Sequence, residues 1–420
     1  MRSGVAAVSA RRVVERAMAD TALSDLLTSR PLHVIAVGKA AAGMAAAFVV
    51  VPHLSIRQAL AIGTHKHEPM PPQMEWLASS HPLPDDRSEV AAERALAVVH
   101  GVHSGEVLLI LLSGGASALM ASPIDGMTLA DKIGTTRIMM NAGAEIHALN
   151  TVRRHLSKVK GGRLAAACVG TTVTLAISDV VGDDLNAIGS GPGVPDPTTW
   201  QDAAVALERF GGAAHPDHVR ALVRKGVTGE IADTPKPGHA SLARATARVI
   251  GSRRDAMAGA EAAAAERGYH PIVVTDPVIG EARDAAPRWL EHVRTAAAAV
   301  GRPACVISSG ETTVRVTGRG TGGRNLEFAL AIAGLVSSMP ETTAASSIGT
   351  DGIDGTAGVA GAIVDSTTMS RATAAGLETP SHYLAANDSF AFFASLDDVV
   401  RLGRTETNVG DLQVILIEQG

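Results

Sequence analysis

Short runs of apolar, largely β-branched residues alternate along this chain with alanine-rich stretches of helical period, and few folds accommodate that alternation. The runs are HVIAVG (33–38), ALAIGT (59–64), EVLLILLSG (106–114), TTVTLAISDV (171–180), ATARVIG (245–251), HPIVVTD (270–276), PACVISSG (303–310), TTVRVTG (312–318) and LQVILI (412–417). Most are apolar on both alternating faces, as strands need to be when helices cover both sides of a parallel sheet. DRSEVAAERALAVVHG, RRDAMAGAEAAAAERG and EARDAAPRWLEHVRTAAAAVG lie between them and read as helices. The pattern predicts an α/β fold. TTVRVTG follows PACVISSG almost without a spacer, which predicts a hairpin and a mixed sheet in the C-terminal half.

A chain of 420 residues predicts two or three domains. KGVTGEIADTPKPGHA (225–240) is rich in turn formers and has no apolar period, so it reads as a linker. A boundary there gives domains 1–235 and 236–420. A formal charge of −5 gives no reason to expect a nucleic-acid partner. Two cysteines far apart, Cys168 and Cys305, exclude a disulfide framework and fit a reducing compartment. The N-terminal segment lacks a signal-peptide core, and no apolar run reaches the roughly 18 residues that span a bilayer. The expectation is a cytoplasmic protein with no membrane partner.

In an open α/β sheet, ligands bind beyond the carboxyl ends of the strands, and several polar or glycine-rich clusters fall there. VIAVGKAAAGMA puts Lys39 at the start of a helix, where free N–H groups and the helix dipole attract anions. Lys39 reads as an anion ligand or as a snorkelling surface lysine. The stretch is neither a Walker A loop nor a dinucleotide fingerprint. LLILLSGGASALM offers Ser113, Gly114, Gly115 and Ser117 as a phosphate-sized turn, or as a plain strand–helix connection. LNTVRRHLSKVKGGRLA repeats Asn150, Arg153, Arg154, Ser157 and Lys160 at helical spacing, as a basic binding face or a solvated one. ISDVVGDDLNAIGSGPGVPDPTT clusters Asp179, Asp183 and Asp184 past a strand, which suits Mg²⁺ or turn chemistry.

In SSGETTVRVTGRGTGGRNLEFALA the four glycines after Glu311 (Gly318, Gly320, Gly322 and Gly323) lead to Arg324 and Asn325 at a helix start. A donor-rich flexible loop plus a planar cation makes an anion clamp. IGTDGIDGTAG carries Asp351 and Asp354, and ANDSFAFF carries Asn387 and Asp388. Thr405, Thr407, Asn408 and Asp411 gather before the last strand. Convergent cations, phosphate-friendly loops and carboxylates point to phosphoryl transfer, which demands positioning and charge neutralisation more than a covalent nucleophile.

These motifs, with SHPLPDD, GTDGIDGTAG and GRTETNVGDLQVILI, run in order from about residue 33 to the end. In that order the chain resembles the class II glycerate kinases, or glycerate 2-kinases, whose C-terminal part is the MOFRL domain. The resemblance implies ATP-dependent phosphorylation of (R)-glycerate to 2-phosphoglycerate. It implies a Rossmann-like parallel-sheet domain, a smaller mixed-sheet domain with the MOFRL region at about 303–417, and an active site in the cleft between them. Lys39 and Arg324 match the family's proposed active-site cations. One departure is Ala116, where the family usually has a third glycine.

The expected roles follow. Lys39, Arg324, Asp179 and Asp351 are catalytic candidates, with Asp179, Glu311 or Asp351 as proton acceptor. Ser113, Gly114, Gly115, Ser117, Asn150, Arg153, Lys160, Glu311, Gly322, Gly323, Asn325, Asn387 and Asp388 bind glycerate or nucleotide. Asp179, Asp183 and Asp184 hold Mg²⁺. ATP and Mg²⁺ are the expected cofactors, glycerate the small-molecule partner, and a monomer or homodimer the expected state. The rivals are an NAD(P)H-dependent hydroxypyruvate reductase and a non-catalytic sugar-acid binding protein.

Overall fold

A computed structural model describes residues 1–66 and 71–418, which form two compact units, Val13–Ile250 and a second unit made of Met1–Arg12 with Gly251–Gly420. In the first unit, β1 (Pro31–Val37), β2 (Ser55–Gly63), β3 (Met74–Ala78), β4 (Val107–Leu112), β5 (Thr171–Ile177) and β6 (Ala245–Gly251) form one sheet. The order is β3-β2-β1-β4-β5-β6, and the β1/β2, β2/β3, β1/β4 and β4/β5 pairings are parallel. Every residue of β4 is buried, as is all of β1 after Pro31, which is why these strands carry no polar face. The chain runs outward in one direction from β1 to β3 and in the other from β4 to β6. The carboxyl ends of β1 and β4 therefore flank the place where the winding reverses, where open α/β sheets place their ligands.

A helical layer in the same unit has its own core. Met139 from helix Leu129–Asn141, Leu149 and Val152 from Ile146–His155, Trp200 and Leu207 from Trp200–Arg209, and Val219 and Val223 from Asp217–Val227 pack together. Capping boxes begin two of these helices, Thr128 with Asp131 and Thr199 with Asp202.

The second unit holds β7 (His270–Val273), β8 (Val278–Glu281), β9 (Ala304–Thr313), β10 (Thr343–Gly349), β11 (Gly361–Asp365), β12 (Val399–Val400) and β13 (Asp411–Ile417). The order is β12-β11-β10-β13-β9-β7, with β8 also paired to β9. β13 runs antiparallel to both β9 and β10, so those two strands end on the same edge. Helices Ala282–Ala297 and Arg324–Ser337 bury Trp289, Leu290, Phe328 and Ile332 against one face. N-terminal helix Arg2–Ala7 packs on helix Arg253–Ala265, and a Cβ on Gly4 would stand 2.7 Å from the carbonyl of Ala256.

Three expectations need correction. TTVRVTG does not form a hairpin: β9 runs unbroken to Thr313, and the sheet is mixed because of β10–β13. Gly310 stays inside β9 because a Cβ there would lie 2.0 Å from the Val278 carbonyl of β8. Residues 225–240 are not a bare linker. Pro235 accepts from the Asp196 amide (2.9 Å), Thr234 donates to the buried Asp196 carboxylate (2.9 Å), and Asp233 meets His155 (2.9 Å). The polarity of the segment is spent on buried groups, so the chain divides after Ile250 instead, with residues 1–12 joining the later part. Among the described residues no helix is long and apolar enough to cross a membrane.

Candidate active site

The strand exits at the winding reversal are locked together through glycine. Gly38 leaves β1 with φ +130°, and a Cβ there would fall 2.1 Å from Ser113 Oγ. The Lys39 amide donates to the Gly114 carbonyl (2.8 Å), and the Ala40 amide donates to Ser113 Oγ (3.0 Å). Ser113 is fully buried and braces this crossing rather than presenting its hydroxyl outward. A Cβ on Gly114 would collide with Asp179 Oδ2 at 1.7 Å, so this glycine makes room for the carboxylate that follows β5. Gly115 adopts φ +84° at the start of the short helix Ala116–Leu119. Its missing Cβ would sit 3.0 Å from the His81 ring and 3.4 Å from Lys39 Cγ. Lys39, Gly114, Gly115, Asp179 and His81 thus share one patch at the carboxyl edge of the sheet, with Lys39 and His81 exposed.

Behind this patch, Ser117 Oγ lies 2.9 Å from Ser190 Oγ, which donates to Asn150 Oδ1 (3.0 Å). Ser190 holds a left-handed φ of 60° between two glycines of the same hand, and the Asn150 side-chain nitrogen is buried without a partner among the described residues. Lys160 departs from the expected binding role. Its amine is buried and donates to the carbonyls of Ser117 (2.8 Å) and Met120 (3.2 Å), ending the short helix. Burial, then the nearby cations Lys132 and Arg153, lower its pKa. Arg153 is half-buried on the wall of an adjoining pocket.

The expected metal trio is not a preformed cage. Among the described residues no three His, Cys, Asp or Glu side chains gather as metal ligands would. Asp184 accepts from the Asn186 amide (2.9 Å) in a local turn. Asp183 lies at φ 57° with one carboxylate oxygen buried and, among the described residues, unpartnered.

The second unit carries a different cluster. In the ladder, Asp411 at the start of β13 faces Gly310 of β9 on one side and Gly349 of β10 on the other. Its carboxylate accepts from Arg324 Nε (2.9 Å) and Asn325 Nδ2 (2.9 Å), while Arg324 Nη1 donates to Glu311 (2.7 Å). Burial pushes the Asp411 carboxyl up to about 7 against the pull of Arg324 and Asn325. Burial alone would lower the Arg324 pKa, but Asp411 and Glu311 together raise it. Asp354 caps the helix that starts at Arg324, accepting from the amides of Asn325 (3.0 Å) and Leu326 (2.8 Å). Asp351, partly exposed, accepts from the Ile353 amide (3.1 Å).

The glycine loop before Arg324 is a fitted part rather than a loose one. A Cβ on Gly318 would stand 2.0 Å from the Ala386 carbonyl, on Gly320 2.3 Å from Asp388 Cβ, on Gly322 2.5 Å from Ser389 Oγ, and on Gly323 2.4 Å from Asp354 Cγ. Asn387 Oδ1 accepts from the amides of Thr317 and Gly318 (both 2.8 Å), and Asp388 Oδ1 from Thr321 (2.9 Å). Asn387 and Asp388, expected to touch ligand, hold the loop in place. The loop in turn delivers Arg324 to the sheet edge.

Residues 1–224 match the model of a domain of unknown function, DUF4147, and residues 304–411 match the MOFRL family. A D-glycerate 2-kinase from Thermotoga maritima is 34% identical over 415 residues, covering 97% of this chain and 96% of its own. The chain belongs to the glycerate 2-kinase family. A solved glycerate kinase from Thermotoga maritima aligns with a TM-score of 0.86 at 34% identity, covering 99% of this chain and 97% of that one. A relative from Agrobacterium vitis, 38% identical over 98% of this chain and 95% of its own, is provisionally named a hydroxypyruvate reductase.

His81 and Asp411 belong to these two clusters, and the sequence assigned neither a role. His81 lies in SHPLPDD, and Asp411, the first residue of β13, lies in GRTETNVGDLQVILI. Only the fold shows that the first adjoins Gly115 and the second grips Arg324.

Proposed function

We propose that this chain transfers the γ-phosphoryl group of ATP to the 2-hydroxyl of (R)-glycerate, releasing 2-phosphoglycerate and ADP. The observation that carries the reading is the Lys39 turn. A cation, two glycines held open for close approach, and a carboxylate meet where the β3-β2-β1-β4-β5-β6 sheet reverses its winding. In the reaction the glycerate oxygen forms a bond to Pγ, the bond from Pγ to the β–γ bridging oxygen breaks, and the hydroxyl proton passes to a carboxylate. Asp179, Glu311 and Asp351 are the candidates for that carboxylate. Lys39 stabilises negative charge on the transferring group, as fixed cations do in phosphoryl transfer. Arg324, oriented by Asp411 and Glu311, presents its fork to a carboxylate or phosphoryl oxygen.

The unpartnered buried oxygen of Asp183 fits a cation. Asp179 and Asp183 would hold Mg²⁺, which needs only one or two protein carboxylates alongside phosphates. When bound, the ion neutralises phosphate charge. The two buried free thiols fit a reducing cytoplasm, where the chain acts as a monomer or homodimer.

A reductase would need a nicotinamide site, and VGKAAAGMA after β1 lacks the glycine spacing of a dinucleotide fingerprint. The two readings separate in one pair of assays. ADP release with glycerate and MgATP is expected to proceed and to stop with chelator. NADH oxidation with hydroxypyruvate is expected to stay at background, and a robust rate there without ADP release would overturn the kinase reading.

A further inference from the structure

A pocket of about 500 Å³ opens beside the Lys39 turn, wholly within the unit Val13–Ile250. Gly115, Ser117 and His81 form the side nearest that turn. Leu83, Ile133 and Met140 supply an apolar wall, and Arg153 stands among them. Resting on the kinase reading, we infer that this pocket holds the nucleoside end of the nucleoside triphosphate, the base against Leu83, Ile133 and Met140, the phosphates passing Arg153 toward Ser117 and Gly115.

Size and chemistry decide between the two substrates. Pockets of roughly 300–1,000 Å³ with mostly apolar walls suit ligands much larger than a three-carbon acid. Glycerate, polar on every carbon, would cover none of the wall usefully, whereas a planar base would. Leu83 and Met140 are each 56% exposed, so there is apolar surface here for a ligand to remove from water.

Charge points the same way. Arg153 is half-buried in that wall, and burial lowers the pKa of its guanidinium. The buried Lys132 amine donates to the carbonyls of Arg153 (3.3 Å) and Leu156 (2.9 Å). Burial and Arg153 push it down to about 7. Arg137 also lines the pocket, and two guanidinium groups in one wall favour a polyanion. Gly115 links the two places directly, because it lines the pocket and its missing Cβ would contact Lys39. A phosphate chain running from this pocket ends at the cation proposed to act on the transferred group.

The test is ADP binding by isothermal titration calorimetry without glycerate, set beside the steady-state KM values. Met140→Glu changes an exposed position, and Arg153→Gln removes the cation while keeping most of the side-chain volume. Each is expected to weaken ADP binding and raise the ATP KM by about tenfold or more, with the glycerate KM changed less than about twofold. Arg153→Lys is expected to recover part of the loss. Unchanged ADP affinity in Met140→Glu, with ATP turnover intact, would overturn the assignment. So would a rise confined to the glycerate KM, which would make the pocket the acceptor's. Absence of ATP turnover in the unmodified chain would instead sink the kinase reading, while the binding measurement still reports on the pocket.

Discussion

Lys39 and Arg324 occupy chemically different settings. Lys39 is an exposed amine on a turn built around two missing side chains. Arg324 is a guanidinium whose Nε and Nη1 are held by Asp411 and Glu311. Removing one charge-stabilising donor from a site of this kind costs about 10²–10³ in rate. Lys39→Ala and Arg324→Ala are each expected to lower kcat/KM by that order. For Lys39→Ala the Tm should move little, since the side chain is exposed. Steady-state kinetics with differential scanning fluorimetry checks this, and near-normal turnover in either variant would remove that residue from the mechanism. Asp411 makes a second prediction. Its ordinary carboxyl pKa is about 3.9, and burial raises it to about 7 in the folded chain. The folded chain therefore holds this proton more tightly, and the resulting stability is whole below the unfolded value and lost as pH rises through 7. The Tm of the unmodified chain minus that of Asp411→Asn should fall between about pH 4 and pH 7 and then level off. A difference that grows with pH would mean that pairing with Arg324 outweighs burial.

At the scale of elements, the glycine loop shows how the two halves of a motif can do different jobs. Its glycines are required by the close approach of Ala386, Asp388, Ser389 and Asp354, and the cation it delivers is held by the sheet edge. Gly320→Ala would drive a Cβ to 2.3 Å from Asp388 Cβ, where nothing flexible can yield. Overpacking of this kind costs about 1–3 kcal/mol, so a lowered Tm is expected by calorimetry. Retention of the full Tm would mean that the loop rests more loosely on 386–389. The same loop marks what can be read from a sequence. A helix starting at Arg324 was legible in the residue types, whereas the steric purpose of the glycines depends on a segment some 70 residues away in the chain. Strands rich in Val, Ile and Leu, such as β1, β4 and β13, were equally legible. β10 (TAASSIG) and β11 (GAIVD) were not, because alanine, serine and glycine carry little strand preference and their burial comes from tertiary packing.

At the scale of the whole molecule, the β–α alternation and the order of the motifs carried the fold class and the family. Where the chain divides was harder to see. A polar, proline-containing stretch looks the same whether it is solvated or strapped onto buried groups. Asp233, Thr234 and Pro235 are strapped, to His155 and Asp196. The Asp179–Asp184 run was legible as an acidic turn past β5, but not in the form it takes, with one oxygen of Asp183 buried and, among the described residues, unpartnered. The most direct measurement of the central claim is phosphorus NMR of the product after turnover of MgATP with (R)-glycerate. The account predicts ADP and a single phosphomonoester bonded to the carbon that bears the secondary hydroxyl. A phosphate on the terminal carbon, or ATP consumed with no phosphorylated acid formed, would contradict it.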